Sequence, residues 1–186
     1  LFNALYVTGL HPATLCDQLV APVMTEIGQR WASNQLCVTD EHVATHVIGQ
    51  ALEEVAARWS NHKKTRFSAL CACLPEDYHS LPCLCIRHVL RYEGWDVTVI
   101  GANTTVDALI SAVHNRSPDL VALSATLIHN SVAFASDCAR IAHEVARREG
   151  HLVVGGMAIT AGNHTDGEGI NFLTDMRNLT SFVRER

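Results

Sequence analysis

Residues 67–82 read Phe67-Ser68-Ala69-Leu70-Cys71-Ala72-Cys73-Leu74-Pro75-Glu76-Asp77-Tyr78-His79-Ser80-Leu81-Pro82. The run Phe67–Leu74 is apolar, short, and closed by a proline-bounded polar loop, which suits a buried strand. Four similar runs follow: Val97–Ile100, Leu120–Ser124, Leu152–Val154 and the weaker Ile170–Leu173. Amphipathic stretches around Cys83–Tyr92, Val106–Asn115, Val132–Arg148 and Met176–Arg186 separate them and read as helices. Strand and helix in strict alternation imply a parallel sheet covered on both faces. Residues 66–186 are therefore predicted to form an α/β, Rossmann-like domain, a flavodoxin-like doubly wound parallel sheet of five strands. Such sheets bind ligands beyond the carboxyl ends of their strands, which directs attention to the residues after each strand.

Upstream the period changes from that of strands to that of helices. Leu15, Leu19, Val23 and Ile27 recur every fourth residue, with Val20 and Met24 widening the stripe. Pro12 suits a helix start, where its missing N–H costs nothing. A second helix is expected from about Thr39 to Trp59, capped by Thr39. Val43, Val47, Ala51, Leu52 and Val55 would form its apolar side, and Glu41, Glu53 and Glu54 its polar one. Residues 1–62 thus form a helical bundle that reads as incomplete. With Leu at its first position, the chain is expected to be part of a longer protein.

The balance of 14 Lys and Arg against 19 Asp and Glu gives a net charge of -5, which does not suit a phosphate-binding surface. The longest basic cluster, His62–Arg66, reads as a solvated linker. No direct nucleic-acid binding is expected, nor a membrane span, since no apolar run is long enough. Seven cysteines without secretory features suggest a reducing cytoplasm. Cys71/Cys73 and Cys83/Cys85 raise the question of a metal cluster. Residues two apart share a face on a strand but diverge by about 200° on a helix. The four sulfurs would not easily converge on one ion, and buried structural thiols are expected instead.

The loop after the first strand carries Asp77-Tyr78-His79. Asp77 is placed to accept a hydrogen bond from one imidazole nitrogen, fixing the tautomer and leaving the other nitrogen for a metal. Taken alone, Asp-x-His is a weak signal, and a solvent-exposed loop histidine is the favoured reading. The third strand ends Ser124-Ala125-Thr126 and the fourth Gly155-Gly156, small residues that let a bulky group approach the backbone. The Gly-x-Gly-x-x-Gly turn of dinucleotide folds is missing after the first strand.

Asp77-x-His79-x-x-Pro82, Ser124-x-Thr126 and Gly155-Gly156 together resemble the signature of base-off/His-on cobalamin (vitamin B12)-binding domains, in order and approximate spacing. The resemblance implies that His79 is the lower axial ligand of cobalt, oriented by Asp77. It also implies that the displaced nucleotide tail runs past Ser124, Thr126, Gly155 and Gly156. Pro82 stands where the family has Gly, a departure that bears on the shape of the loop. In the helical half, Trp31 followed by Glu41-His42 resembles the Trp-x9-Glu-His motif of CarH/LitR-type B12 photoreceptors. There a helical cap encloses a 5′-deoxyadenosyl group above the corrin. Trp31 would supply flat apolar area and Glu41 a hydrogen-bond acceptor. Ordinary core packing of Trp31, and a zinc face made by His42 and His46 one turn apart, remain open for these residues. Ala32 stands where such photoreceptors carry a second histidine.

The resemblance implies an adenosylcobalamin-binding light-sensing module, a non-enzymatic sensor working through a light-dependent homo-oligomer or an output domain or partner. The alternative is a methylcobalamin-binding corrinoid carrier of a methyltransferase system. A radical mutase is less favoured, because no barrel domain accompanies the sheet. His88, His114 and His143 are expected on solvated helix surfaces, and His129 near the rim of the tail pocket.

Overall fold

The computed structural model describes residues 10–59, 64–162 and 167–186. The helical half comprises α1 (Pro12–Leu15), a π-helical turn (Cys16–Val20), α2 (Ala21–Ala32) and α3 (Val38–Ala56). The remainder alternates β1 (Ser68–Cys73), α4 (Leu81–Tyr92), β2 (Asp96–Gly101), α5 (Val106–Arg116), β3 (Leu120–Ser124), α6 (Ser131–Ala146), β4 (His151–Gly155), α7 (Met157–Thr160), β5 (Ile170–Leu173) and α8 (Met176–Arg184). The strands form one sheet in the order β2-β1-β3-β4-β5, with every neighbouring pair parallel. This is the flavodoxin-like order, with its switch point between β1 and β3.

Each sheet face has its own core. Ala69, Cys71 and Cys73 of β1, with Leu120 and Ala122 of β3, pack against the helical half and α4. Leu70, Ala72, Val121 and Leu123 point the other way, onto α5, α6 and α7. The helical half and α4 therefore share one core, and Leu15, Cys16, Val20, Leu52 and Val55 belong to it.

The expected single stripe from Leu15 to Ile27 is interrupted by the π turn. Pro22 has no N–H to give the carbonyl four residues back, and its ring crowds that carbonyl. Ala21 N–H instead reaches Cys16 O, and the helix widens for one turn before continuing. Asp17, presented by that turn, accepts hydrogen bonds from Met176 N–H at 2.9 Å and Arg177 N–H at 3.1 Å. A side chain of the helical half thus caps the first turn of the last helix.

Two expectations about α3 are corrected. Cys37, not Thr39, is its N-cap: Asp40 carboxylate accepts from Cys37 N–H at 2.9 Å and from its S–H at 3.0 Å. Val43 and Val47 are 57% and 56% exposed, whereas Leu52 and Val55 are buried. The inward side is Glu41, Thr45, Ile48, Leu52 and Val55, spaced three and four apart; Val43 and Val47 fall on the opposite side. The periodicity of valine alone pointed to the wrong face.

The docking of α3 on α4 also corrects the reading of His88, which is 4% exposed. It packs edge-on against Trp59 and lies 3.4 Å from Glu53, which also pairs with Arg87. Burial, helped by the Arg87 charge, pulls the His88 pKa down from 6.5 to about 4. His114 and His143 are exposed as expected, His114 pairing with Glu144 at 2.8 Å. The basic cluster from His62 lies partly outside the described residues.

Because His88 is neutral when folded, the unfolded chain binds the extra proton between pH 6.5 and about 4. Stability therefore falls as pH drops through that window, by on the order of 1–3 kcal/mol. Urea unfolding of wild type and His88→Leu at pH 7 and pH 4.5 checks this, with the variant losing less on acidification.

Candidate functional site at the carboxyl edge of the sheet

The loop between β1 and α4 carries the site's principal groups. Asp77 is 3% exposed and anchors it. Its Oδ1 accepts from His79 Nδ1–H at 2.7 Å and His79 N–H at 3.0 Å, and its Oδ2 from Thr126 N–H at 2.6 Å. Burial opposes the charge on Asp77, but these donors outweigh it and hold its carboxyl below the usual carboxylate value. The same hydrogen bond raises the His79 pKa against burial, with the charges of Asp77 and Glu41 adding to it. His79 thus presents its tautomer with Nε2 free of hydrogen bonds among the described residues, on a half-exposed ring. That is the arrangement of a metal-ligating imidazole with an oriented outer carboxylate.

Two further partners fix the loop. Asn103, after β2, gives its N–H to Asp77 O at 2.8 Å and accepts Glu76 N–H on its side chain at 3.0 Å. Both Glu76 and Asn103 sit at positive φ, 67° and 49°. Cys73 S–H donates to His79 O at 3.3 Å from beneath. Sequence reasoning missed Asn103 and Cys73. The rule that sent it to the strand ends applied equally after β2, and Asn is among the few residues that accept a left-handed backbone. Pro82 falls in the first turn of α4, where its missing N–H is harmless, and the helix begins two residues after His79.

Ser124 and Thr126 carry the clearest sign of an absent polar partner. Both hydroxyls are buried and make no hydrogen bond. Such groups are costly unless something satisfies them. At the same edge large apolar side chains are exposed, Tyr78 and Leu127 in the loops and Val132 and Met157 in the first turns of α6 and α7. An apolar rim around orphaned hydroxyls and a free imidazole nitrogen fits a large, mostly apolar ligand with a polar tail. His129 is exposed in the same β3–α6 loop.

Gly155 and Gly156 have a packing task within the protein itself. A Cβ on Gly156 would lie 2.5 Å from Ala125 O, and φ is +121°; one on Gly155 would lie 3.0 Å from Leu173 O. The space is taken up by the protein's own backbone, where Ala125 N–H donates to Gly155 O and Ala158 N–H to Ala125 O. Both glycines set the close approach of the loops that hold Ser124 and Thr126.

The helical half reaches the same edge. Gly49 of α3 lies against Leu81 and Leu84, the first turn of α4. The eleven residues of α3 before it project about 16 Å beyond that contact, an overhang that carries Glu41, whose charge acts on His79. Glu41 and His42 lie on that overhang, 3.5 Å apart, and Thr45 donates to Glu41 at 2.8 Å. Trp31, in the last turn of α2, is 51% exposed. The turn to α3 is closed by Asn34 at φ 57° and by Gln35 N–H on Arg30 O. Trp31 is thus not a core residue, and no group of three metal-ligating side chains forms among the described residues, at His42 and His46 or at the cysteines. A groove of about 710 Å³ between α5 and α6 contains none of the predicted site residues. Its lining charges are already paired, Asp107 with Arg140 and His114 with Glu144.

A parallel sheet with an imidazole and orphaned hydroxyls at its carboxyl edge, overhung by a helical arm, has the architecture of a corrinoid protein. The structure resembles the monomethylamine corrinoid protein of Methanosarcina barkeri with a TM-score of 0.79 at 12% identity, over 99% of this chain and 88% of that one. A cobalamin-binding protein from Desulfitobacterium hafniense DCB-2 superposes with a TM-score of 0.53 at 17% identity, over 87% of this chain and 77% of that one. The B12 binding domain profile matches residues 67–170, and a second B12 binding domain profile matches residues 1–56. The chain belongs to the B12-binding domain family. It is 28% identical over 141 residues to the HTH-type transcriptional repressor CarH of Myxococcus xanthus, covering 75% of this chain and 46% of that protein. To CarA of the same organism, also an HTH-type transcriptional repressor, it is 36% identical over 129 residues, covering 69% of this chain and 43% of that protein. The chain spans less than half the length of either repressor. Among the described residues no helix is long and apolar enough to cross a membrane.

The role found for Gly156 makes its replacement a test of the loop clamp. Gly156→Ala should destabilise the fold by about 2–4 kcal/mol through the clash with Ala125 and the positive φ. Denaturant unfolding without any ligand measures this, and an unchanged midpoint would contradict the packing role.

Proposed function

We propose that this chain is an adenosylcobalamin-binding, light-sensing module rather than an enzyme. Residues 1–62 would be the cap and residues 66–186 the sheet domain that carries the cofactor. The observation that carries the reading is the convergence of two separate parts of the chain. The overhang of α3 brings Glu41 close enough for its charge to act on His79, while Trp31 stays exposed at the end of α2.

On this reading His79 Nε2 is the lower ligand of cobalt, and Asp77 sets its tautomer and basicity. Ser124 and Thr126 hydroxyls would satisfy polar groups of the nucleotide tail, with Gly155 and Gly156 holding their loops in place. Above, Trp31 would cover the apolar face of the adenosyl group, Glu41 would accept from its hydroxyls or amine, and His42 would close the side. The bound cofactor would supply a cobalt–carbon bond that visible light breaks. Trp31 and Glu41 would hold the upper group, and without that partner the arm carrying them would be free to take another arrangement. Output would pass to a second copy or to a partnering domain, as in a repressor with a separate DNA-binding region. The likeness to a corrinoid protein across 99% of the chain favours a second reading, a methylcobalamin carrier for methyl transfer.

The two readings part on the upper ligand. A sensor should bind adenosylcobalamin at least about ten-fold more tightly than methylcobalamin, and Trp31→Ala should erase most of that preference. Green light should change the size-exclusion profile of the loaded protein. Equal affinities and identical profiles would favour the carrier. In both cases His79→Ala should remove the nitrogen hyperfine splitting from the Co(II) electron paramagnetic resonance spectrum.

A further inference from the structure

We propose that Cys73 and Cys83 form an oxidisable dithiol beneath the His79 loop, closed to a disulfide by a peroxide-class oxidant, and that closure weakens the hold on His79. The two Sγ atoms lie 3.4 Å apart, both fully buried, one at the end of β1 and the other in the first turn of α4. They bracket the loop that carries Asp77 and His79. Ser124 lies opposite Cys73 in the β1–β3 register.

The dithiol and the loop are coupled by a shared proton. Cys73 S–H is the donor to His79 O, so a sulfur that has lost its hydrogen leaves that carbonyl without it. Bond formation also draws the sulfurs from 3.4 Å to about 2.05 Å, pulling the first turn of α4 toward the end of β1. The span that the His79 loop must bridge then shortens. This second half of the proposal rests on His79 being the cobalt ligand.

The chemistry balances with one peroxide. A thiolate sulfur attacks a peroxide oxygen, the O–O bond breaks, and a sulfenic acid and water form. The second sulfur then displaces the sulfenic hydroxyl, which leaves as water. Each sulfur gives up one electron and the peroxide takes two. Both sulfurs are fully buried, which keeps solvent and oxidant away from them. Reaction therefore waits for the loop to open. The cover is thin: Pro75, Glu76, Tyr78, His79 and Ser80 are all exposed.

The test treats the cofactor-free protein with hydrogen peroxide, alkylates free thiols under denaturing conditions and maps peptides by mass spectrometry. A Cys73–Cys83 linked peptide is expected, absent from Cys83→Ser and Cys83→Ala. Both thiols still alkylatable, or a link between Cys16 and Cys85 in its place, would overturn the dithiol. Titration with hydroxocobalamin should then show about ten-fold weaker binding after oxidation, restored by dithiothreitol. Binding in either Cys83 variant should not respond to peroxide. A linked protein with unaltered affinity would overturn the coupling to His79. A protein that forms the link but never binds hydroxocobalamin would overturn the cofactor reading and the coupling, while leaving the dithiol standing.

Discussion

The carboxylate of Asp77 is a buried charge, and the site is arranged around making that charge tolerable. A carboxylate taken out of water without partners would protonate or unfold its surroundings. Here three donors meet it, two from His79 and one from the backbone of Thr126. The contact to Thr126 ties the loop after β1 to the loop after β3 across the switch point of the sheet. Asn103 ties the same loop to the one after β2. One ionised group therefore sets the tautomer of the imidazole and holds together the three strand ends from which a ligand would be gripped.

Rigidity at the lower side contrasts with the arm above it. The C-terminal half of α3 is fastened to α4 by Leu52, Val55, Trp59 and the Glu53–Arg87–His88 group. At the far end, His11 and Arg184 both pair with Glu93, joining the helical half to α4 and α8. The N-terminal half of α3 and α2 are fastened more sparsely: α2 contains no buried residue, and its half-buried Met24 packs against the core. The helical half is thus firm where it meets the sheet and lightly held where Trp31 and Glu41 lie. Local opening is easiest where buried apolar contacts are few, which places it in this half of the arm.

The sequence made the sheet legible because its signals were local and strong. Leu120–Ser124 and Ile170–Leu173 lie where their apolar runs end, and α5 starts at the expected Val106. Asp77, His79, Ser124 and Thr126 were legible from a motif whose members fall after strands. What failed depended on neighbours distant in sequence. His88 has the spacing of a surface residue and is buried only because Trp59 and Glu53 arrive from another helix. Val43 and Val47 gave a regular stripe, but the packed face was set by Gly49 against α4. Gly155 and Gly156 were found for close approach, and the backbone they approach here is that of Leu173 and Ala125.

The π turn gives the arm an adjustable pitch. One residue added to or removed from Cys16–Val20 would rotate everything beyond it by about 100° while leaving α1 seated. Trp31, a little over ten residues further on, would swing to another side of the helical half. The aim of the indole is thus set by Pro22 and the loosened coil before it, far from any residue that touches the cofactor site. A chain of the same motifs with a different length across this one turn would present a different side of α2 where Trp31 now stands.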